Sequence, residues 1–355
     1  MMYYLIIIFF ALVLAFCFIE PRGVISYKIL ILLMFLLFAY VKTNVDMGAY
    51  LWFYDQIRSV RDITVTDPAF GLIMYTGKLL GLDYFGFLAY LAIIGLIFLT
   101  VVFRHYSKYP AIVLALYFIF DYAAETIQIR AFLAEIVMYI LMMNTIEDRV
   151  FHWKRFFLTM LVGILLHSTS VFFILLLLPF MLKSRRKLIL LVGICIILVP
   201  SAAVILRYLP IPLLRDKLQY YVYSRREGVG LTAVMYVMLF LGISFYIRRL
   251  AGKQRWPDWS RRFNRLLDIH IICMIACVLL LYFSSNFYRI LRTVMVVDSI
   301  VVFNYFASTR KLKPANRLAL AAGVFAFFIL FELWTHSWYS VMITNTLFQN
   351  MMSLI

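Results

Sequence analysis

Three arginines stand where apolar sequence would ordinarily exclude charge. Arg130 lies in ETIQIRAFLAEIVMYILMMN, Glu125 to Asn144, which from Ile127 onward is apolar enough to cross a membrane. Arg289 and Arg292 lie in SSNFYRILRTVMVV, three residues apart between two apolar runs, a spacing that puts both on one helix face. A charge inside a membrane helix costs a few kcal/mol at the centre and less near the ends, and it usually marks a site. The planar guanidinium fork holds phosphate oxygens two at a time, so phosphate binding is the chemistry these residues suggest. The plainer alternative is an ion pair with Glu135 or Asp298, or snorkelling to the interface.

His167 is the second candidate. It sits in LLHSTS, next to a polar turn of Ser168, Thr169 and Ser170. A lone histidine in apolar sequence is more often a packing residue, but the adjoining turn favours a functional role. Two further segments combine charge with aromatic rings. TNVDMGAYLWFYDQI (43–57) carries Asp46, Tyr50, Trp52, Phe53 and Tyr54. LPIPLLRDKLQYYVYSRREGVG (209–230) sets Tyr220, Tyr221 and Tyr223 beside Arg215, Lys217, Arg225 and Arg226, and reads as an amphipathic segment on the membrane surface. Aromatic residues at that depth form an interfacial belt, and their faces also pack against sugar rings. Arg58, Arg61 and Lys78 read as surface charge.

These residues need a scaffold, and the composition fixes its class. Of 355 residues, 65% are hydrophobic and 14% charged, against about half and a quarter in a soluble domain. Mean hydropathy is +0.95. The chain reads as a polytopic membrane protein, all-α, because backbone exposed to lipid must satisfy its own hydrogen bonds. Long apolar runs exclude the alternating pattern of a β-barrel. A helical bundle of this size is expected to be one integral-membrane domain over residues 1–355. The first apolar run, without a basic leader or a small-residue cleavage site, reads as a retained helix rather than a signal peptide.

Apolar runs place about twelve spans of ~20 residues or fewer. They fall near 3–19, 29–42, 84–103, 109–122, 127–145, 152–167, 168–183, 188–206, 230–247, 266–285, 293–308 and 318–334. Alternate connections, including a large loop at 248–265, carry 22 of the 34 basic residues, so these are assigned to the cytoplasm. Both termini and two larger loops, about 43–83 and 207–229, then lie outside. The net charge of +17 mostly reflects this asymmetry, which argues against a nucleic-acid partner. No zinc, P-loop or dinucleotide motif points to a cofactor. Cys17, Cys195, Cys273 and Cys277 all lie in apolar runs and read as packing residues, and no carboxylate cluster suggests a metal.

The stretches 152–167 and 168–183 are short for spans and read as two helices meeting at a turn at His167–Ser168. Together with the short run 109–122, they leave outer ends below the membrane surface. The result would be a crater open to the outside, with His167 on its floor.

The motifs NVDMGAY, IQIRAFLAEI, LLHSTSVFF and NFYRILR, in this order, resemble the EpsG family, Wzy-like polymerases of bacterial surface polysaccharides. The resemblance implies a membrane glycosyltransferase of the GT-C type in the bacterial cytoplasmic membrane. Its substrates would be oligosaccharides linked to polyprenyl diphosphate, such as undecaprenyl diphosphate, handled at the outer leaflet, and a chain-length regulator is an implied partner. Carried onto this sequence, it implies Arg130, Arg289 and Arg292 as ligands of the departing diphosphate, with Arg225 and Arg226 as helpers. His167 is the first candidate base and Asp46 the second, while Tyr50, Trp52 and Tyr221 are placed to hold sugars. A polysaccharide ligase, a flippase or other transporter, and a membrane acyltransferase remain as alternatives. The transporter lacks a matching pair of Gly- or Pro-broken helices. Several outer arginines suit a diphosphate better than a thioester.

Overall fold

Apolar runs of this length form helices because each N–H finds its carbonyl within its own segment. The computed structural model describes residues 2–41, 46–205, 231–282 and 287–309, with isolated positions between 315 and 323. Among the described residues every regular element is helical. The order is α1 (Met2–Ile19), α2 (Val24–Ala39), α3 (Met47–Gln56), α4 (Pro68–Leu79), α5 (Tyr84–Tyr106), α6 (Pro110–Tyr117) and the single turn α7 (Ala123–Glu125). There follow α8 (Ile129–Glu147), α9 (Trp153–Leu166), α10 (Leu178–Leu182), α11 (Arg185–Ile205), α12 (Leu231–Gly252), α13 (Pro257–Tyr282) and α14 (Tyr288–Thr309). Helices α5, α8, α14 and the Pro257–Leu281 part of α13 are long and apolar enough to cross a membrane. Tyr221, Arg225, Arg226 and the loop 207–229 lie outside the described residues, as does almost all of the span expected at 318–334.

The residues group into two compact units. The first holds the chain up to Leu141, Trp153–Val171 and the described residues from Ser299. Its longest helix, α5, starts where the Asp83 carboxylate accepts a hydrogen bond from the Gly86 N–H at 2.7 Å, and ends on Arg104 and His105, which suit the negative pole of the helix. Proline opens α4 and α6 at a position whose N–H has no partner in a helix. The segment 43–83, expected as a loop, contains two helices and the 3₁₀ turn Val60–Val65. Gly71 of α4 lies so close to the Ile63 backbone that a Cβ would overlap the Ile63 carbonyl, which docks this turn on the helix.

Helices α5 and α8 run side by side in the same direction. The Phe132 ring occupies the space a Cβ on Gly95 would fill, and further along Phe103 and Tyr139 stand 6.1 Å apart. Between α6 and α7 the helix widens into one π turn, Phe118–Tyr122, where the buried Tyr122 hydroxyl donates to the Met34 carbonyl of α2.

The second unit comprises Met142–His152 and Phe172–Asp298. In it α11 and α12 both pack on α13. The Arg185 Nε donates to Asp268 at 2.7 Å and its Nη2 to the Asn264 carbonyl at 3.0 Å. Arg265 donates to the carbonyls of Thr145, Asp148 and Arg149, and Arg261 to that of Glu147, so two arginines of α13 close the carboxyl end of α8. The segment 248–265 is therefore not a loop: helix lies on both sides and only Lys253–Trp256 connects them. Long basic side chains reach past an apolar run, and the helix continues beneath them.

Phe151 and Phe180 meet at 4.1 Å, so the chain between them goes out and back. The expected pair of short segments is present, but after His167 the return begins as a 3₁₀ helix, Ser168–Leu177, before α10.

Candidate active site

Asp67 organises the first unit's polar centre. It occupies the N-cap position of α4, yet its carboxylate makes no cap hydrogen bond. Instead Oδ2 accepts from Arg130 Nη1 at 3.2 Å and lies 3.3 Å from His167 Nδ1, while Oδ1 accepts from the Ser168 N–H at 3.2 Å. Arg130 Nη1 also donates to Thr66 Oγ1 at 3.3 Å. The packing of α4 on α9 brings Asp67 and His167, a hundred residues apart, to one place.

Burial opposes the charge on Asp67. The hydrogen bond from His167, the Arg130 guanidinium and the Ser168 N–H outweigh it, and the carboxyl titrates below its usual range. An ionised Asp67 only accepts, so Nδ1 of a neutral His167 carries the proton and Nε2 keeps its lone pair, a tautomer assigned from the hydrogen-bond network. Among the described residues no group hydrogen-bonds the buried His167 Nε2 or Arg130 Nε.

The guanidinium of Arg130 is flanked by rings, Tyr50 at 5.6 Å and Phe53 at 5.5 Å, both from α3. Side-chain exposure is 28% for Arg130 and 12% for each of Asp67 and His167. The register of α8 on α5 sets the depth. With Phe132 on Gly95, Arg130 falls level with about Ile93, roughly 14 Å along α5 from its start at Tyr84. Phe38, one residue before the end of α2, reaches the same level, 5.1 Å from Phe132. α2 thus ends, and α8 begins, about 14 Å along α5 from its start at Tyr84.

Arg130, His167 and Tyr50 are brought together, and Asp67 joins them. Trp52 is 53% exposed, with its ring against Phe53. Asp46 stands at the N-cap position of α3, one turn before Tyr50. Arg289 and Arg292 belong to the second unit, on the first turns of α14, as their spacing predicts. Arg292 is 1% exposed, with its guanidinium 4.6 Å from the Tyr288 ring. Arg130 pairs with Asp67, and Asp298 accepts His270 Nε2 as a partner at 2.7 Å. The Ser244 hydroxyl donates to the Phe240 carbonyl at 2.7 Å and so accepts from His270 Nδ1, also at 2.7 Å.

The first unit also gathers three buried carboxylates, Asp121, Glu125 and Glu135, with oxygens within 4.8 Å of one another. Tyr139 donates to Asp121 at 2.8 Å. Such a group can hold a cation or share protons. Sequence reading found no carboxylate cluster, because the π turn shifts Asp121 relative to Glu125 and tertiary packing supplies Glu135.

Comparison with curated proteins and with solved structures returns no match. The model of the EpsG family matches residues 24–346, nearly the whole chain, and the chain therefore belongs to the EpsG family.

Proposed function

We propose that the chain polymerises a bacterial surface polysaccharide at the outer leaflet of the cytoplasmic membrane. It would move the growing glycan from polyprenyl diphosphate to a hydroxyl of the next lipid-linked repeat. Family membership fits a polysaccharide polymerase broadly, and with it a lipid-linked oligosaccharide substrate in the membrane. The observation that carries the reading is the sharing of Asp67 between His167 and Arg130, sunk among apolar helices.

In this reading His167 Nε2 takes the proton of the acceptor hydroxyl as its oxygen bonds to the anomeric carbon. The bond from that carbon to the diphosphate oxygen breaks, and the electron pair leaves with the diphosphate. Arg130 meets the charge that builds there; held by Asp67 and Thr66 and flanked by two rings, it needs little rearrangement. Asp67 does not touch substrate. It positions both neighbours and stabilises the imidazolium once His167 has taken the proton. Tyr50, expected from sequence to hold a sugar, is only 4% exposed with its ring beside Arg130, so in this reading it steadies the guanidinium. Arg289 and Arg292, on the first turns of α14, would be further phosphate ligands.

The test is polymer length on gels with His167→Ala, Arg130→Ala, Arg289→Ala and Arg289→Lys, each at normal expression. Loss of long chains with accumulation of lipid-linked single repeats supports the reading. A wild-type ladder with His167→Ala removes the base, and one with Arg289→Ala removes that arginine. Long lipid-linked chains that persist but no longer reach a final acceptor would make the protein a ligase.

A further inference from the structure

A second feature of the first unit lies apart from this chemistry. Helices α2 and α5 leave a groove of about 530 Å³ between them, lined along its length by Ile31, Leu32, Phe35, Ile97 and Val101. Leu32 is 56% exposed and Ile97 58%. One end of the groove differs chemically from the rest: Lys28 and Arg104, both exposed, stand there on facing helices, with Arg104 5.2 Å from the Tyr27 ring.

We propose that this groove binds an anionic phospholipid, with its phosphate between Lys28 and Arg104 and an acyl chain along the apolar wall. Three observations support that occupant. The cations sit at one end and the rest of the wall is hydrocarbon, which matches a lipid end to end. From Arg104 back to Ile93, the last lining residue of α5, the helix rises about 16 Å, close to half the thickness of a bilayer's hydrocarbon core. The groove therefore takes a lipid of one leaflet. Lastly, Arg130 stands level with about Ile93, so the basic end lies about 16 Å along α5 from the candidate active site. A carrier lipid whose diphosphate reacts at Arg130 does not present it at Arg104. The choice of phospholipid over carrier lipid rests on that proposed site, whereas the groove and its basic end do not.

The probe is phosphatidylglycerol, compared with phosphatidylcholine of the same acyl chains, added to the full chain in mild detergent. Native mass spectrometry reads binding, and thermal unfolding reads stabilisation. Phosphatidylglycerol is expected to bind in preference and to raise Tm. Lys28→Gln with Arg104→Gln should weaken its binding by roughly tenfold or more. Lys108→Gln is the control: Lys108 is exposed and its Nζ lies 3.0 Å from Ser308, away from the groove lining, so the preference should persist. Leu32→Trp, which fills the groove, should displace both lipids. Equal binding of the two lipids overturns the proposal, as does a preference unchanged in the double variant. Recovery of polyprenyl phosphate in place of phospholipid from the purified chain would overturn it too, giving the groove to the carrier.

Discussion

Asp67 occupies the position from which a side chain would cap α4, but its carboxylate is directed at His167, 3.3 Å away. Capping is a local interaction that most helices use, worth about 1 kcal/mol. Here the carboxylate joins two segments far apart in the chain, and its charge sets the tautomer of the imidazole.

Asp67→Asn keeps the size of the side chain and its capacity to accept, but not the charge. The amide can donate to Nδ1, which would move the histidine proton to Nε2. We expect a fall in polymerisation of about 10²-fold or more, the usual range for a lost general base. The chain should still fold, at a lower Tm, since Asn keeps the shape and can accept a hydrogen bond but loses the ion pair with Arg130. Initial rates on defined lipid-linked repeats, with Tm measured alongside, check this.

The depressed titration of Asp67 predicts a pH dependence of stability. A carboxyl whose folded pKa lies below its unfolded value contributes above the unfolded value, near 4, and loses that contribution as pH falls through the folded value. The Tm difference between wild type and Asp67→Asn should therefore be full at pH 6 and shrink below about pH 4. A difference that grows on acidification would contradict an ionised Asp67.

Gly95 tests the register that sets the depth of Arg130. A methyl group at Gly95 would overlap the Phe132 ring, so Gly95→Ala should cost about 1–3 kcal/mol through overpacking. Adding Phe132→Leu, which removes ring volume at the contact, should recover part of that loss. Thermal unfolding of the two single variants and the double variant measures the coupling.

Arg265 tests a different claim, that basic residues near 248–265 hold helix ends together as well as orienting the chain. Arg265→Ala leaves three carbonyls at the end of α8 without their donor and should destabilise by about 1–3 kcal/mol. Arg265→Lys, a compact charge without the fork, should restore only part of this. Unchanged Tm in both variants would leave these residues to topology alone.

The all-helical fold and the short pair around His167 are legible because lipid enforces helices and apolar runs mark them. Arg130 and His167 were legible because charge and polarity stand out in apolar sequence. Asp67 was not. Asp-Pro before an amphipathic stretch reads as an ordinary helix start, and nothing local announces partners 63 and 100 residues away. The same limit hid α3 and α4: their modest apolar content reads as loop until Tyr54 is seen stacked on Phe87 at 4.9 Å. Asp46 and Trp52 stand out by residue type alone, and the fold gives Trp52 an outward setting that its type does not predict.

The ring of Phe132 seated on Gly95 has a mechanical consequence. Bilayers differ in thickness, and single helices answer by tilting or sliding. A peg in a notch forbids sliding between α5 and α8, so the pair must lean as one body and carry its guanidinium along. Turnover should then tolerate lipids of different chain length until that peg is removed.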